Sequence, residues 1–154
     1  MPLERVRVLV IDDDAFFGFG LARRLEEAGF AARFHRGPFG CLQAIRDMRC
    51  EAVVLDVNMP RLDGPLVLRM IRDAMGMGTT RVLLCSNMEA EPLARLAAVS
   101  GAHGSLTKGA IDAELVPSIH AMLGATLARS AQSREASSRA VGGSDAWQGR
   151  GPGR

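Results

Sequence analysis

The chain is 154 residues long, the length of one ordinary domain, and its 47% hydrophobic and 23% charged residues suffice for a single packed core. Aromatics make up only 5%, with no Tyr, so Leu, Val, Ala and Met must fill that core. The net charge of +2 belongs to the end of the chain, where four arginines face two acids from Ser130 onward, and the neutral remainder excludes the basic stripe of a nucleic-acid binder.

In chain order, Val6 to Ile11 reads as a strand stopped by three aspartates, too short and too quickly charged for a signal peptide or a spanning helix. A helix follows with Phe17, Leu21, Leu25 and Ala28 on one face and Gly29 as its stop. Phe30 to His35 is a weaker strand, and Phe39 to Asp47 a short helix. Ala52 to Leu55 is apolar on both faces, as a buried parallel strand should be. A loop with Pro60, and Asp63–Gly64 as turn or cap chemistry, leads into a helix expected to face inward with Leu66, Met70 and Ile71. Arg81 to Cys85 is the fourth strand, and Glu89 to Val99 the fourth helix, with Pro92 tolerable in its first turn. Gly104 to Thr107 is a brief fifth strand. Asp112 then looks like the cap of a last helix carrying Leu115, Ile119, Leu123 and Leu127, with Pro117 late enough to delay or bend it. From Ser130 the composition turns to Ser, Ala, Gly and Arg, which predicts a disordered tail.

Five β–α units in succession predict a doubly wound parallel sheet with helices on both faces and its ligand site at the carboxyl ends of the strands. Those ends carry Asp12, Asp13 and Asp14, then Asp56 with Asn58, then Ser86 and Asn87, then Thr107 and Lys108. Clustered carboxylates repel, and a hard divalent cation such as Mg²⁺ relieves them by taking oxygen ligands. Asp13, Asp56 and the Asn58 carbonyl suit that task, with Asp12 holding a metal-bound water. A carboxylate is a competent nucleophile toward phosphorus, and the transferred group needs cations and donors around it. Lys108 and the Ser86 hydroxyl supply them. Lys108 is also the only lysine among nineteen basic residues, consistent with a task for a compact point charge rather than a planar guanidinium.

Plainer roles compete for several residues. Asp14 alone reads as a helix cap. His35, His103 and His120 share no spacing and read as surface or packing groups. The eight methionines read as core filler. Cys41, Cys50 and Cys85 are odd in number and lack a C-x-x-C spacing, which suits a reducing compartment, and the cytoplasm is the expected location.

Val10-Ile11-Asp12-Asp13-Asp14, Val54-Leu55-Asp56-Val57-Asn58-Met59-Pro60, Asp63-Gly64, Ser86 and Leu106-Thr107-Lys108 together resemble the signature set of receiver domains of two-component response regulators. The resemblance covers residues 5–128 and leaves 129–154 as the tail. It implies a flavodoxin-like (CheY-like) three-layer α/β/α fold with a five-stranded parallel sheet. It also implies Asp56 as phosphoacceptor, Asp12, Asp13, Asp56 and Asn58 at Mg²⁺, and Ser86 and Lys108 as the hydroxyl and ammonium that meet the phosphoryl group. The implied partners are a sensor histidine kinase or a histidine phosphotransfer protein and a downstream protein target, met through the fourth helix, fifth strand and fifth helix, with no nucleic acid and no membrane. No effector is expected after the receiver, so it stands alone.

Two positions depart from the family. Gly109 stands where a proline usually follows the lysine, so a trans peptide is expected there. Ser105 replaces the usual aromatic switch, so the signal is expected to pass through the loop after Ser86 and the fourth helix. Two alternatives stand beside this reading. One is a pseudo-receiver that docks without being phosphorylated, although clustered unpaired carboxylates are costly to retain. The other is a haloacid-dehalogenase-type phosphatase using Asp12-x-Asp14, which would leave Asp56 idle, lacks a cap insertion, and finds only Asp112 and Glu114 for its later acidic pair.

Overall fold

The computed structural model describes residues 4–60, 63–75 and 80–124. The chain divides into two units, Met1–Leu123 and Gly124–Arg154, and apart from Gly124 the second lies outside the described residues, as do the expected tail and Leu127. Five strands form one sheet: β1 (Arg7–Asp12), β2 (Ala31–Arg36), β3 (Ala52–Asp56), β4 (Arg81–Ser86) and β5 (Gly104–Thr107). Between them run α1 (Ala15–Glu27), α2 (Cys41–Met48), α3 (Gly64–Met75) and α4 (Ala90–Ser100). A short 3₁₀ turn (Lys108–Ala110) follows β5, and α5 is helical from 111 to 124. All strand pairs are parallel, in the order β2-β1-β3-β4-β5.

The alternation of side chains along the strands explains the layers. Val8, Val10, Val54, Leu83, Cys85 and Leu106 point to one face, where Leu21, Ala22 and Leu25 of α1 and Leu115, Ile119 and Met122 of α5 cover them. Leu9, Ile11, Val53, Leu55, Val82 and Leu84 point to the other, beneath Ile45 of α2, Val67, Leu68 and Ile71 of α3, and Leu93 and Ala97 of α4. This is the flavodoxin-like three-layer architecture. Among the described residues no helix is long and apolar enough to cross a membrane.

Several local expectations need correction. The buried stripe of α3 is Val67, Leu68 and Ile71, while Leu66 and Met70 are exposed. The phase is set by Gly64, whose N–H donates to the Val57 carbonyl at 2.9 Å and whose missing Cβ would lie 2.7 Å from Val57 Cα. Residues three, four and seven beyond Gly64 therefore face the sheet. In α1, Ala28 is exposed as the C-cap, and Gly18 and Ala22 are buried instead. Phe39 precedes α2 because Gly40, at φ 79, occupies the N-cap position in a left-handed conformation. Asp112 does not cap α5. The 3₁₀ turn starting at Lys108 runs straight into α5 at 111, so Asp112 falls in the first turn of α5, exposed and paired with Arg24. The helix does not start late: it runs from 111 past Pro117, which is exposed on its surface.

Candidate functional site

The strand order reverses its direction of growth between β1 and β3, and the carboxyl ends of these two strands open a crevice there. Asp12 is the last residue of β1 and Asp56 the last of β3, both nearly fully buried. A cleft of about 210 Å³ lies over them, lined by Asp12, Asp13, Asp14, Asp56, Asn58, Asn87 and Lys108. Asp13 is exposed at its rim. Asp14 has two positions at once: it lines the cleft, and its Oδ1 accepts from the Phe17 N–H at 3.1 Å as the N-cap of α1.

Lys108 enters from the end of β5. Its Nζ donates to Asp12 Oδ2 at 3.0 Å and lies 3.6 Å from Asp56 Oδ1. Asp12 Oδ1 accepts from the Asp14 N–H at 2.8 Å, and Asp56 Oδ1 from the Asn58 N–H at 3.3 Å. One ammonium thus serves two buried carboxylates. Burial pushes the Asp56 carboxyl above its ordinary value, the charge of Asp12 pushes it further, and Lys108 opposes both. Burial acts to lower the Lys108 pKa, but the Asp12 hydrogen bond and the charges of Asp56 and Asp12 outweigh it and leave the ammonium raised.

Ser86 ends β4 and is fully buried. It does not line the cleft; its Oγ accepts from Asn58 Nδ2 at 3.2 Å and from the Met88 N–H at 3.1 Å, so Asn58 stands between it and the opening. Asp12, Asp13, Asp56, Asn58 and Lys108 therefore share one cleft, with Ser86 behind it. The Lys108–Gly109 peptide is trans, and Gly109 is exposed. Ser105 is partly buried and pairs with Leu84 in β4. None of the three histidines lines the cleft, and all three cysteines are buried and free.

One residue gave no sign of its position in sequence. The Phe17 ring lies under Lys108, with Nζ 4.4 Å from the ring centroid. Read along the helix, Phe17 is one apolar residue of the inward stripe. Only the tertiary fold, which carries the Lys108 side chain across to the first turn of α1, brings the two together.

The donor set fits a hard divalent ion. The lining is made of carboxylates, amide groups and one ammonium, with four acids against a single cation. Among the described residues no three Asp, Glu, His or Cys side chains surround a point closely enough to hold a metal alone. Mg²⁺ takes one or two carboxylates and completes its octahedron with water, carbonyl or phosphate oxygens, so the carboxylates of this lining are ligands of the right type for it.

The raised Asp56 pKa has a consequence for stability. Between the ordinary and the raised value the folded chain binds more protons at Asp56 than the unfolded chain, so this group's contribution to stability falls as pH rises through that window. Asp56→Asn keeps the shape and removes the charge. In metal-free buffer its Tm is expected to exceed that of the wild type at neutral pH and to converge with it once pH falls below the ordinary carboxylate range; a lower Tm at neutral pH would show that Asp56 is a net stabilising anion.

The response regulator receiver domain family matches residues 8–120. Response regulator MprA of Mycobacterium sp. (strain KMS) is 36% identical over 118 residues, covering 77% of this chain and 50% of that protein. Protein-glutamate methylesterase/protein-glutamine glutaminase 1 of Anaeromyxobacter dehalogenans (strain 2CP-C) is 32% identical over 100 residues, 65% of this chain and 28% of that one. The chain spans about half the length, or less, of these curated relatives. Among solved structures, a two-component response regulator of the LuxR family from Aurantimonas sp. SI85-9A1 superposes with a TM-score of 0.70 at 27% identity, over 79% of this chain and 87% of that one. Chemotaxis protein CheY4 of Vibrio cholerae shares the fold, with a TM-score of 0.62 at 22% identity over 82% and 98% of the two chains. With its parallel sheet in the order 2-1-3-4-5 and its acids gathered where that order reverses, this chain belongs to the response regulator receiver domain family.

Proposed function

We propose that residues 5–128 work as the phosphoacceptor of a two-component phosphorelay, taking a phosphoryl group from a phosphohistidine donor onto Asp56. The observation that carries this reading is the pairing of Asp56 Oδ1 with the chain's sole lysine at 3.6 Å, at the floor of an open acidic cleft. An Asp56 oxygen forms a bond to phosphorus as the donor's P–N bond breaks, and the electron pair leaves with the imidazole. Asp12, Asp13, Asp56 and the Asn58 carbonyl would hold Mg²⁺, which when bound supplies positive charge to the phosphoryl oxygens. Lys108 adds a second positive charge by exchanging its Asp12 contact for a phosphoryl oxygen. The partners on this reading are a sensor histidine kinase or a phosphotransfer protein, then a downstream protein target, in the cytoplasm. The chain catalyses its own phosphorylation and dephosphorylation and no other turnover.

Intact-mass analysis after incubation with Mg²⁺ and an acyl phosphate tests this. Wild type is expected to gain one phosphoryl group and Asp56→Asn none. An unmodified wild type would support the docking-only alternative. Turnover of a phosphate monoester lost in Asp12→Asn but kept in Asp56→Asn would support the phosphatase instead.

The signal would leave through the start of α4. Ser86 Oγ accepts from the Met88 N–H and from Asn58, so a hydroxyl that turned to a phosphoryl oxygen would loosen the segment leading into α4. With Ser105 no aromatic swing is available. Amide shifts in the phosphorylated protein are expected to change across residues 87–99 beyond the changes at the cleft itself. Unchanged shifts there would contradict this route.

A further inference from the structure

The lysine turn is held from its far side, where Ala110 packs on the core and Ile111 is buried in it. Lys108 opens a 3₁₀ turn of three residues, and Gly109 brings neither a fixed φ nor a side chain; a Cβ there would meet nothing within 4 Å. The Lys108 side chain is nonetheless 14% exposed and aimed at Asp12 and Asp56. The carboxylates draw the ammonium to the cleft floor, and the face of Phe17, outside the cleft lining, lies against it, with the ring centroid 4.4 Å from Nζ.

Resting on the phosphoacceptor reading, we propose that Phe17 is a positioning residue for Lys108, its ring face keeping the ammonium in the cleft while it passes from Asp12 to the phosphoryl group on Asp56. An aromatic face is suited to this because it attracts a cation through its quadrupole without accepting one of its N–H bonds. All three donors of the ammonium stay available for oxygen. A carboxylate in the same place would compete with the phosphoryl group; an aliphatic side chain would offer no attraction. Phe17 is itself firmly placed. Its N–H is capped by Asp14, its ring packs on the core under α1, and Gly18 beside it has no Cβ, which lets the Phe34 ring of β2 press against this turn.

The plain alternative is that Phe17 only fills space, and the sole lysine allows the two to be separated. In full-length protein labelled with ¹³C-lysine, Lys108 gives a single Hε–Cε signal. The ring should move it upfield in the wild type and in Phe17→Tyr, and the shift should be lost in Phe17→Leu, which keeps apolar bulk without a π face. Phosphorylation by an acyl phosphate with Mg²⁺ should slow by about three- to tenfold in Phe17→Leu, the size of one partly buried cation–π contact, and recover in Phe17→Tyr. A Phe17→Leu protein that folds with an unchanged lysine signal, or loses the shift but keeps the wild-type rate, would overturn the proposal. If the wild type takes no phosphoryl group, it is the phosphoacceptor reading that fails, and a wild-type lysine signal without a ring shift would then overturn the contact as well.

Discussion

Two buried carboxylates sharing one ammonium govern this molecule. Asp12 and Asp56 end neighbouring strands, and the parallel sheet admits no arrangement that separates them. Each ionised group is costly to bury alone, and Lys108 offsets only part of the cost for two. The result is a site short of positive charge, with Asp56 held above its ordinary pKa. An excess of buried negative charge favours a cation at such a site. On the proposed function, the same imbalance would prepare the site for Mg²⁺ and a phosphoryl group.

The rest of the chain can be understood as support for that pair. Alternate residues of β1, β3 and β4 fill two separate cores, which leaves only the strand ends free to carry polar groups. Gly64 draws the start of α3 against the residue after Asp56, fixing the loop that carries Asn58. Asp12 takes one hydrogen bond from the backbone and one from Lys108, one on each oxygen. Asp56 has longer contacts with both of its partners and lines the opening, an arrangement that suits the proposed acceptor. Ser86 sits one layer deeper, tied to Asn58 and to the backbone before α4.

Much of this was legible in the residues because parallel strands make strong demands on composition. Apolar runs such as Ala52 to Leu55 must be central strands, and whatever follows each must meet at one edge. That demand singles out Asp12, Asp56, Ser86 and Lys108 without any knowledge of side-chain geometry. It fails where a detail depends on the docking of elements. The phase of α3 follows from the close approach of Gly64 to Val57, which no periodicity reveals, so the apolar spacing alone points Leu66 and Met70 inward where the fold exposes them. The start of α5 depends on the turn after Lys108, so Asp112 was given a cap's role when it pairs with Arg24. Phe17 lay on the expected face, but its contact with Lys108 joins positions far apart in the chain and leaves no trace in either segment.

The account depends most directly on the electrostatic coupling of Asp12 to Asp56, which a site-specific titration reads. The Asp56 carboxyl carbon, followed by NMR in metal-free protein, is predicted to titrate above the ordinary aspartate value of 3.8 and to shift back toward it in Asp12→Asn. An Asp56 that titrates at or below 3.8 in the wild type, or that ignores the loss of the Asp12 charge, would contradict it.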